Sequence, residues 1–424
     1  MKKYSLSALV AAGLLAGGLS VTSANAADLG GNCCADLEER IAELEATTAR
    51  KGNRKISLTI SGWVAEQVMA WDDGIEENVY VGGIGGTLAS HVKFTGQATI
   101  SPGWTAGYVL HIEASGNENL VQNQDNDNAS QINSGGGTVG LLQSYWFIKS
   151  DHLGKVAIGK QSQASDNTAI LVDGSGSLVP ANWVLFDVNG FQVRRSDGSN
   201  AGGIGGAFGG CSNMGGAGGD CNGLTENVIR YDSPTFGGFS FSTSWGEDDM
   251  WDVAARYAGE FGGFKLAAAT AYTHSTDRNI GAVDTNIQDD SEADYFQVGA
   301  YAQHVPTGLF LYGAYGNFEN EDTTGQANGD LESDTYYIKG GLRQRWTPLG
   351  HTVLYGEYMN VESDFENGVN RELDQFGLGV VQEVDAAAMS LWLSYKHFEF
   401  DSNEAINSDL EDFDLIKCGA LINF

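Results

Sequence analysis

Ile56-Ser57-Leu58-Thr59-Ile60-Ser61-Gly62-Trp63-Val64 is where the chain changes its rhythm. Ile56, Leu58, Ile60 and Val64 alternate with Ser57, Thr59, Ser61 and Trp63, and a period of two puts one set on each face of an extended strand. Immediately upstream the period is helical. In Asp36–Ala49 (DLEERIAELEATTA), Leu37, Ile41 and Leu44 fall on one helical face, and with Thr48 they span two heptads. Two heptads are too few for a lone coiled coil. A helix over 36–49 therefore either joins copies that neighbouring barrels already hold together or rests singly against the inner rim.

Downstream the two-residue habit recurs to the end of the chain. Leu88, Val92, Phe94, Ala98 and Ile100 alternate with His91, Lys93, Thr95, Gln97 and Thr99. Ile338, Leu342 and Trp346 alternate with Lys339, Arg343 and Arg345, and Met389, Leu391, Leu393 and Tyr395 with Trp392, Ser394 and Lys396. The last strand closes on Phe424, with Ile416, Cys418, Ala420, Ile422 and Phe424 sharing a face. We read that face as lipid-facing, with Phe424 at the inner interface.

Alternation alone fits any half-buried antiparallel sheet; the connections discriminate. Short turns such as Ser101–Gly103, Ser150–Gly154, Glu260–Gly263, Val305–Gly308 and Thr347–Gly350 alternate with long acidic or Gly/Asn-rich loops at 70–87, 116–139, 162–225, 275–293, 317–332, 361–372 and 400–410. Counting through this pattern gives sixteen strands from 56 to 424. The even count puts both strand ends on the short-turn side, as in a transmembrane barrel with short periplasmic turns and long external loops. Unpaired backbone in hydrocarbon is costly, so the sheet must close on itself. The expected fold is all-β, a 16-stranded antiparallel transmembrane β-barrel over 56–424.

Composition agrees. The 424 residues include 58 Gly but only 5 Pro, and aromatics make up 10%, which suits strands and tight turns. No segment beyond the N-terminus has 18 consecutive apolar residues, which excludes a helical membrane protein. Lys2 and Lys3, the apolar run Leu6–Leu19 and Ala24-Asn25-Ala26 read as a signal peptide over 1–26, leaving 27–55 as a periplasmic segment. The formal net charge is −32, which argues against nucleic acid as a partner. The acids gather in the loops, where divalent cations can sit. Export permits a disulfide between Cys211 and Cys221, ten residues apart. Cys33 and Cys34 are adjacent and hardly bridge each other, and Cys418 reads as a wall position.

Four stretches together resemble the alphaproteobacterial general porins: Ala27–Val64, GKVAIGKQ (Gly154–Gln161), VIRYDSPTFGGFSFSTSWG (Val228–Gly246), and the terminal phenylalanine. The resemblance implies an outer-membrane homotrimer in a Gram-negative bacterium, in contact with outer-membrane lipid and lipopolysaccharide. It also implies a third loop folded into the lumen, where it narrows the passage for small hydrophilic solutes.

Sixteen strands leave an aqueous channel rather than a packed core, so the site should lie where the long loop 162–225 meets the wall. That loop is far longer than a connection needs, and its portion Ala181–Val193 (ANWVLFDVNGFQV) carries Trp183, Leu185, Phe186 and Phe191, which either pack on the inner wall or cover the mouth outside. Candidate acids of a constriction are Asp166, Asp173, Asp187 and Asp197. Candidate bases are Arg194 and Arg195 on the loop's return, and Arg230, Arg256, Lys339, Arg343 and Arg345 on strands, where alternation sends the arginines inward. Each also reads as an ordinary lumen residue. As two opposed groups they would set a transverse field, with a weak preference for cations. Tyr231, Phe236, Phe239, Tyr257, Tyr272, Phe310, Tyr315, Trp346, Tyr355, Tyr395 and Phe424 lie near strand ends, as interface belts require.

A barrel enzyme is disfavoured: the seven histidines (His91, His111, His152, His274, His304, His351 and His397) are scattered, and no G-x-S-x-G elbow accompanies them. Two other readings stay open. One is a substrate-specific channel, which would want aromatics along the lumen rather than charges. The other is an envelope-anchoring barrel using the 36–49 helix and acidic loops.

Overall fold

The structure is a computed structural model, and it describes residues 56–85, 88–114, 122–126, 139–211, 219–246, 249–276, 292–321, 330–407 and 409–424. The expected signal peptide, the 27–55 segment and the 36–49 helix lie outside the described residues.

Sixteen staves form one closed antiparallel sheet. They are β1 (Thr59–Asp72), β2 (Glu77–Gly82 and Ser90–Ser101), β3 (Trp104–Ala114), β4 (Val139–Ser150), β5 (Gly154–Gln161), β6 (Glu226–Asp232), β7 (Phe239–Gly246) and β8 (Trp251–Phe261) in the first half. The second half is β9 (Phe264–Thr276), β10 (Glu292–His304), β11 (Leu309–Glu321), β12 (Leu331–Thr347), β13 (Gly350–Phe365), β14 (Asn370–Val384), β15 (Met389–Ser402) and β16 (Phe413–Asn423). Each stave pairs with its chain neighbours, and β1 closes the ring on β16 from Trp63↔Asn423 to Asp72↔Asp414. Closure leaves no free edge for the backbone to expose to hydrocarbon.

One stave departs from the expected loop at 70–87. Its middle is a strand, Glu77–Gly82, paired with the upper half of β1, while Ser90–Ser101 pairs with the lower half. Between the two pieces the backbone leaves the ladder, and side chains substitute for it. The Ser90 hydroxyl accepts from the Ala65 N–H at 3.0 Å, and Trp63 Nε1 donates to the Leu88 carbonyl at 3.0 Å. The strand has only 6 residues, and the Gly82-Gly83-Ile84-Gly85-Gly86 run after it reads as loop.

The faces separate as alternation demands. Ile416, Ile422 and Phe424 are exposed on the outside, with Val64 and Val68 beside them on β1. Met69, Trp71, Lys417 and Leu421 point inward and are buried. Tyr231, Phe236, Phe239, Trp346 and Tyr395 are exposed at the ends of the wall, as belt residues should be. Phe310 and Tyr355 do not belong to that belt. Both are buried and share the inward face with Tyr312 and Val353, because their parity along β11 and β13 is inward. Their nearness to strand ends, on which they were grouped with the others, carries no information about face.

Candidate pore lining and loop anchor

The described parts of the long loop, 162–211 and 219–225, dock largely on inward-facing side chains of the barrel wall, and their path follows from what each of these can hold. Arg230, inward on β6, donates through Nη1 to the Ser162 and Gln163 carbonyls at 2.9 Å each. Arg256, inward on β8, reaches Thr168 Oγ1 at 2.7 Å. Asp252, beside it, accepts from the Ser165 N–H at 2.7 Å and the Ser165 hydroxyl at 2.6 Å. Gln297 on β10 accepts from the Ala169 N–H at 2.8 Å, and the Tyr312 hydroxyl on β11 donates to the Ala169 carbonyl at 2.9 Å. The first turn of the loop is thus tied strand by strand across half the inner wall.

Two buried ion pairs then fix its centre. Asp173 meets Lys339 of β12 at 2.6 Å with both side chains fully buried, and Lys339 also donates to the Ala181 carbonyl at 2.7 Å. Asp187 meets Lys417 of β16 and accepts from Gln67 Nε2 of β1 at 2.8 Å. Burial alone would raise the Asp187 carboxyl. The Lys417 ammonium, Lys396 behind it, and the hydrogen bonds from Lys417 and Gln67 outweigh burial and hold it below the usual carboxylate range. Around these pairs the apolar portion packs as a core: Trp183, Leu185 and Phe191 are buried, and Phe191 sits 5.4 Å from the Trp71 ring and 5.1 Å from that of Phe413. The Cys211–Cys221 disulfide staples the return, with Cα atoms 5.1 Å apart.

The loop's two ends also meet. Asp166 near its start and Asp220 near its end are both buried. Burial and the Asp220 charge push the Asp166 carboxyl well above its ordinary value. Burial likewise lifts Asp220 to about 7, against an opposing hydrogen bond from the Asn167 backbone.

The remaining candidates are placed elsewhere. Arg194 pairs with Asp73 at 3.1 Å and Glu76 at 2.8 Å beside the β1–β2 loop. Arg195 holds the last external loop through the Ile406 carbonyl at 2.8 Å and Asn407 Oδ1 at 2.6 Å. Asp197 is exposed and closes a local turn with the Ser199 N–H at 2.9 Å. Arg343 pairs within the wall with Glu383 at 2.9 Å, and Arg345 pairs with Asp385 at 2.5 Å at the short-turn end. The candidate acids and bases therefore do not stand in two rows across open water. Of the candidates only Asp173 and Lys339 form an ion pair with each other, and Asp187 instead meets Lys417, both in direct contact. Lys417, Gln67, Asp252, Gln297 and Glu383 were not among the candidates, although Lys417 and Asp252 each alternate with apolar neighbours and so were readable as inward.

The outer end of the wall carries a second feature. On the outward face of β10–β15, carboxylates stand opposite carboxylates: Asp294↔Glu319, Glu319↔Glu332, Glu362↔Glu372 and Glu372↔Asp401. Like charges directly opposite are destabilising; Tyr272 donates to one of these, Asp294, at 2.5 Å, as Tyr315 and Tyr358 do to the neighbouring Asp334 and Asp374 at 2.6 Å each. His274, Glu292 and Asp294 bring one ligand atom each within 4.8 Å of one another there, so this rim can hold a cation.

No curated protein sequence is similar enough to count as a relative. Solved structures do match. The anion-selective porin from Comamonas acidovorans aligns over 87% of this chain and 100% of its own, with TM-score 0.55 and 18% identity. Vibrio cholerae OmpT in its trimer form aligns over 87% and 99%, at 0.53 and 14%. Salmonella typhi OmpF, in complex with daunomycin, aligns over 88% and 99%, at 0.54 and 13%. At such identities the likeness concerns the fold. The family rests on the sequence itself: residues 7–403 match the model of the Gram-negative porins, and the chain belongs to that family of outer-membrane diffusion channels, which are not enzymes.

Proposed function

We propose that this porin is a general pore for small hydrophilic solutes and ions, of the alphaproteobacterial type, weakly cation-preferring and homotrimeric. The observation that carries the reading is the loop anchored inside a sixteen-strand barrel by wall-to-loop ion pairs. The loop's hydrogen bonds to β6 through β12, β16 and β1 support an opening on the β2–β5 side, where the half-buried Lys93 and Tyr145 face inward. On this reading the eyelet is bounded by the docked segment 166–187, and its charges act as a pinned lining rather than as two free rows.

Three features support the finer points. The excess of carboxylates, at a net −32, raises the local concentration of cations at the mouth. The acidic outer rim faces the outer leaflet, where divalent cations can bridge it to anionic lipopolysaccharide head groups. For the trimer, Glu66 lies on the outward face of β1 between exposed Val64 and Val68, and Lys160 shares the outward face of β5 with Val156. Charged side chains on the lipid face are costly, and opposite signs on two separate patches are what a cyclic, head-to-tail contact can satisfy. Reversal potentials in a salt gradient test the selectivity. A modest cation preference is expected, and strong anion preference would overturn it.

A further inference from the structure

We propose that the inner wall of β2 and β3 carries a binding site for a borderline divalent transition metal such as Cu2+, Ni2+ or Zn2+, held by His91 and His111. The two residues face inward on neighbouring strands and sit diagonally in the ladder, His91 opposite Glu113 and Lys93 opposite His111. Their rings lie 4.1 Å apart between centroids, so parting them by roughly 0.5–1 Å lets both nitrogens reach one ion at the ~2 Å bond lengths such metals form.

The hydrogen bonds prepare these rings as ligands. His91 Nδ1 lies 3.0 Å from the Ala89 carbonyl oxygen. A carbonyl can only accept, so Nδ1 carries the proton and Nε2 keeps its lone pair. A backbone carbonyl behind one ring nitrogen is the usual way a metal-binding histidine is oriented. Trp63 packs edge-on against the same ring at 4.1 Å and limits its rotation. The Ala89 backbone is itself held, its N–H donating to Glu113 Oε1 at 2.8 Å. His111 supplies the second observation. It is 7% exposed, yet neither of its ring nitrogens has a hydrogen-bond partner among the described residues. Burying two such atoms unpaired is unfavourable, and a bound metal relieves it at one of them.

The neighbourhood also sets which ion fits. Imidazole donors suit copper, nickel and zinc, whereas magnesium and calcium want oxygen. Lys93, across the ladder from His111, repels any dication, so only a metal with strong bonds to nitrogen holds there. The remaining coordination positions fall to water or to a passing solute, so an ion here stands on the lumen side of the wall.

The inference rests on the inward face of a closed barrel and not on conduction, so its test is made first on binding. Cu2+ alone is titrated into the purified full-length protein in detergent and followed by electron paramagnetic resonance. The wild type should bind one equivalent with two-nitrogen coordination, distinct from any single-histidine signal of the rim, that His111→Asn and His91→Asn each weaken at least tenfold. His274→Asn, which alters the outer-rim cluster, should leave this signal intact. Heat-modifiable gel mobility checks that each variant is folded, and His111→Gln serves if the asparagine variant is not. In planar bilayers, micromolar Cu2+ should then reduce current through the wild type and not through His111→Asn, while Mg2+ does neither. A nitrogen-coordinated signal of equal strength and stoichiometry in the folded His111 variant, or none in the wild type, overturns the proposal. Binding to a folded protein that passes no current with or without Cu2+ leaves the metal site standing and counts against the pore reading instead.

Discussion

Changing Asp173 to asparagine isolates the charge that pins the loop. The amide keeps an oxygen for the Ser175 N–H, now at 3.0 Å from Asp173 Oδ1, and occupies the same space. What is lost is the counter-charge of Lys339, whose ammonium lies 2.6 Å from Asp173 in a pair with no solvent exposure. The Ala181 carbonyl remains as its acceptor but carries no full charge. Removing one partner of a buried pair costs roughly 3–5 kcal/mol. The strands keep their ladder hydrogen bonds, so the cost is relieved by undocking the loop rather than by unfolding the barrel. At about 1.4 kcal/mol per tenfold, the docked-to-undocked ratio falls roughly a hundred- to several-thousandfold. Single-channel recording should show larger or flickering conductance, and limited proteolysis should cut within 174–190 where the wild type resists. Replacing both partners, Asp173→Asn with Lys339→Met, should restore most of the docking, since an apolar replacement leaves no buried charge unpaired. If Asp173→Asn alone conducts and resists protease like the wild type, the ion pair does not hold the loop.

Other predictions follow from the same geometry. Serines at Cys211 and Cys221 open a staple spanning 10 residues, worth roughly 2.5–3 kcal/mol in the loop-entropy model; proteolysis near 199–223 should quicken while heat-modifiable mobility stays unchanged. Asp220 binds its proton more tightly in the docked loop, with a carboxyl lifted to about 7, than it would in water. Docking therefore gains from protonation; that gain is complete below the ordinary carboxylate range and is lost as pH rises through about 7. Channels should be quieter at pH 5 than at pH 8, and Asp220→Asn should flatten the difference. Glu66→Lys places like charges at the proposed subunit contact and should lower the proportion of trimer on mildly denaturing gels; an unchanged trimer would remove Glu66 from that contact.

The staves were legible because the wall obeys one rule. Hydrocarbon outside and a docked loop or water inside force alternation on every strand, and hairpin economy makes one set of connections short. The upper piece of β2 escaped because it is only 6 residues long and runs directly into glycines 82, 83, 85 and 86, which read as loop. Buried loop residues such as Trp183 and Phe191 were visible as apolar excess in a segment with no strand to hide them. Their partners were not visible, since which wall residue meets Asp173 or Asp187 depends on the loop's path. Lys339 lies 166 positions from Asp173, and Lys417 lies 230 from Asp187. Inward parity names both lysines, but only the folded loop selects them. Arg194 and Arg195 show the converse: next to each other in sequence and suited to a constriction, they are taken by the external loops because the 192–203 ribbon turns outward.

The most direct test of a water-filled barrel is the current through purified protein in a planar bilayer. The account predicts stepwise insertions whose conductance rises in proportion to salt concentration. A barrel that is demonstrably folded yet passes no ions at any salt concentration would contradict it.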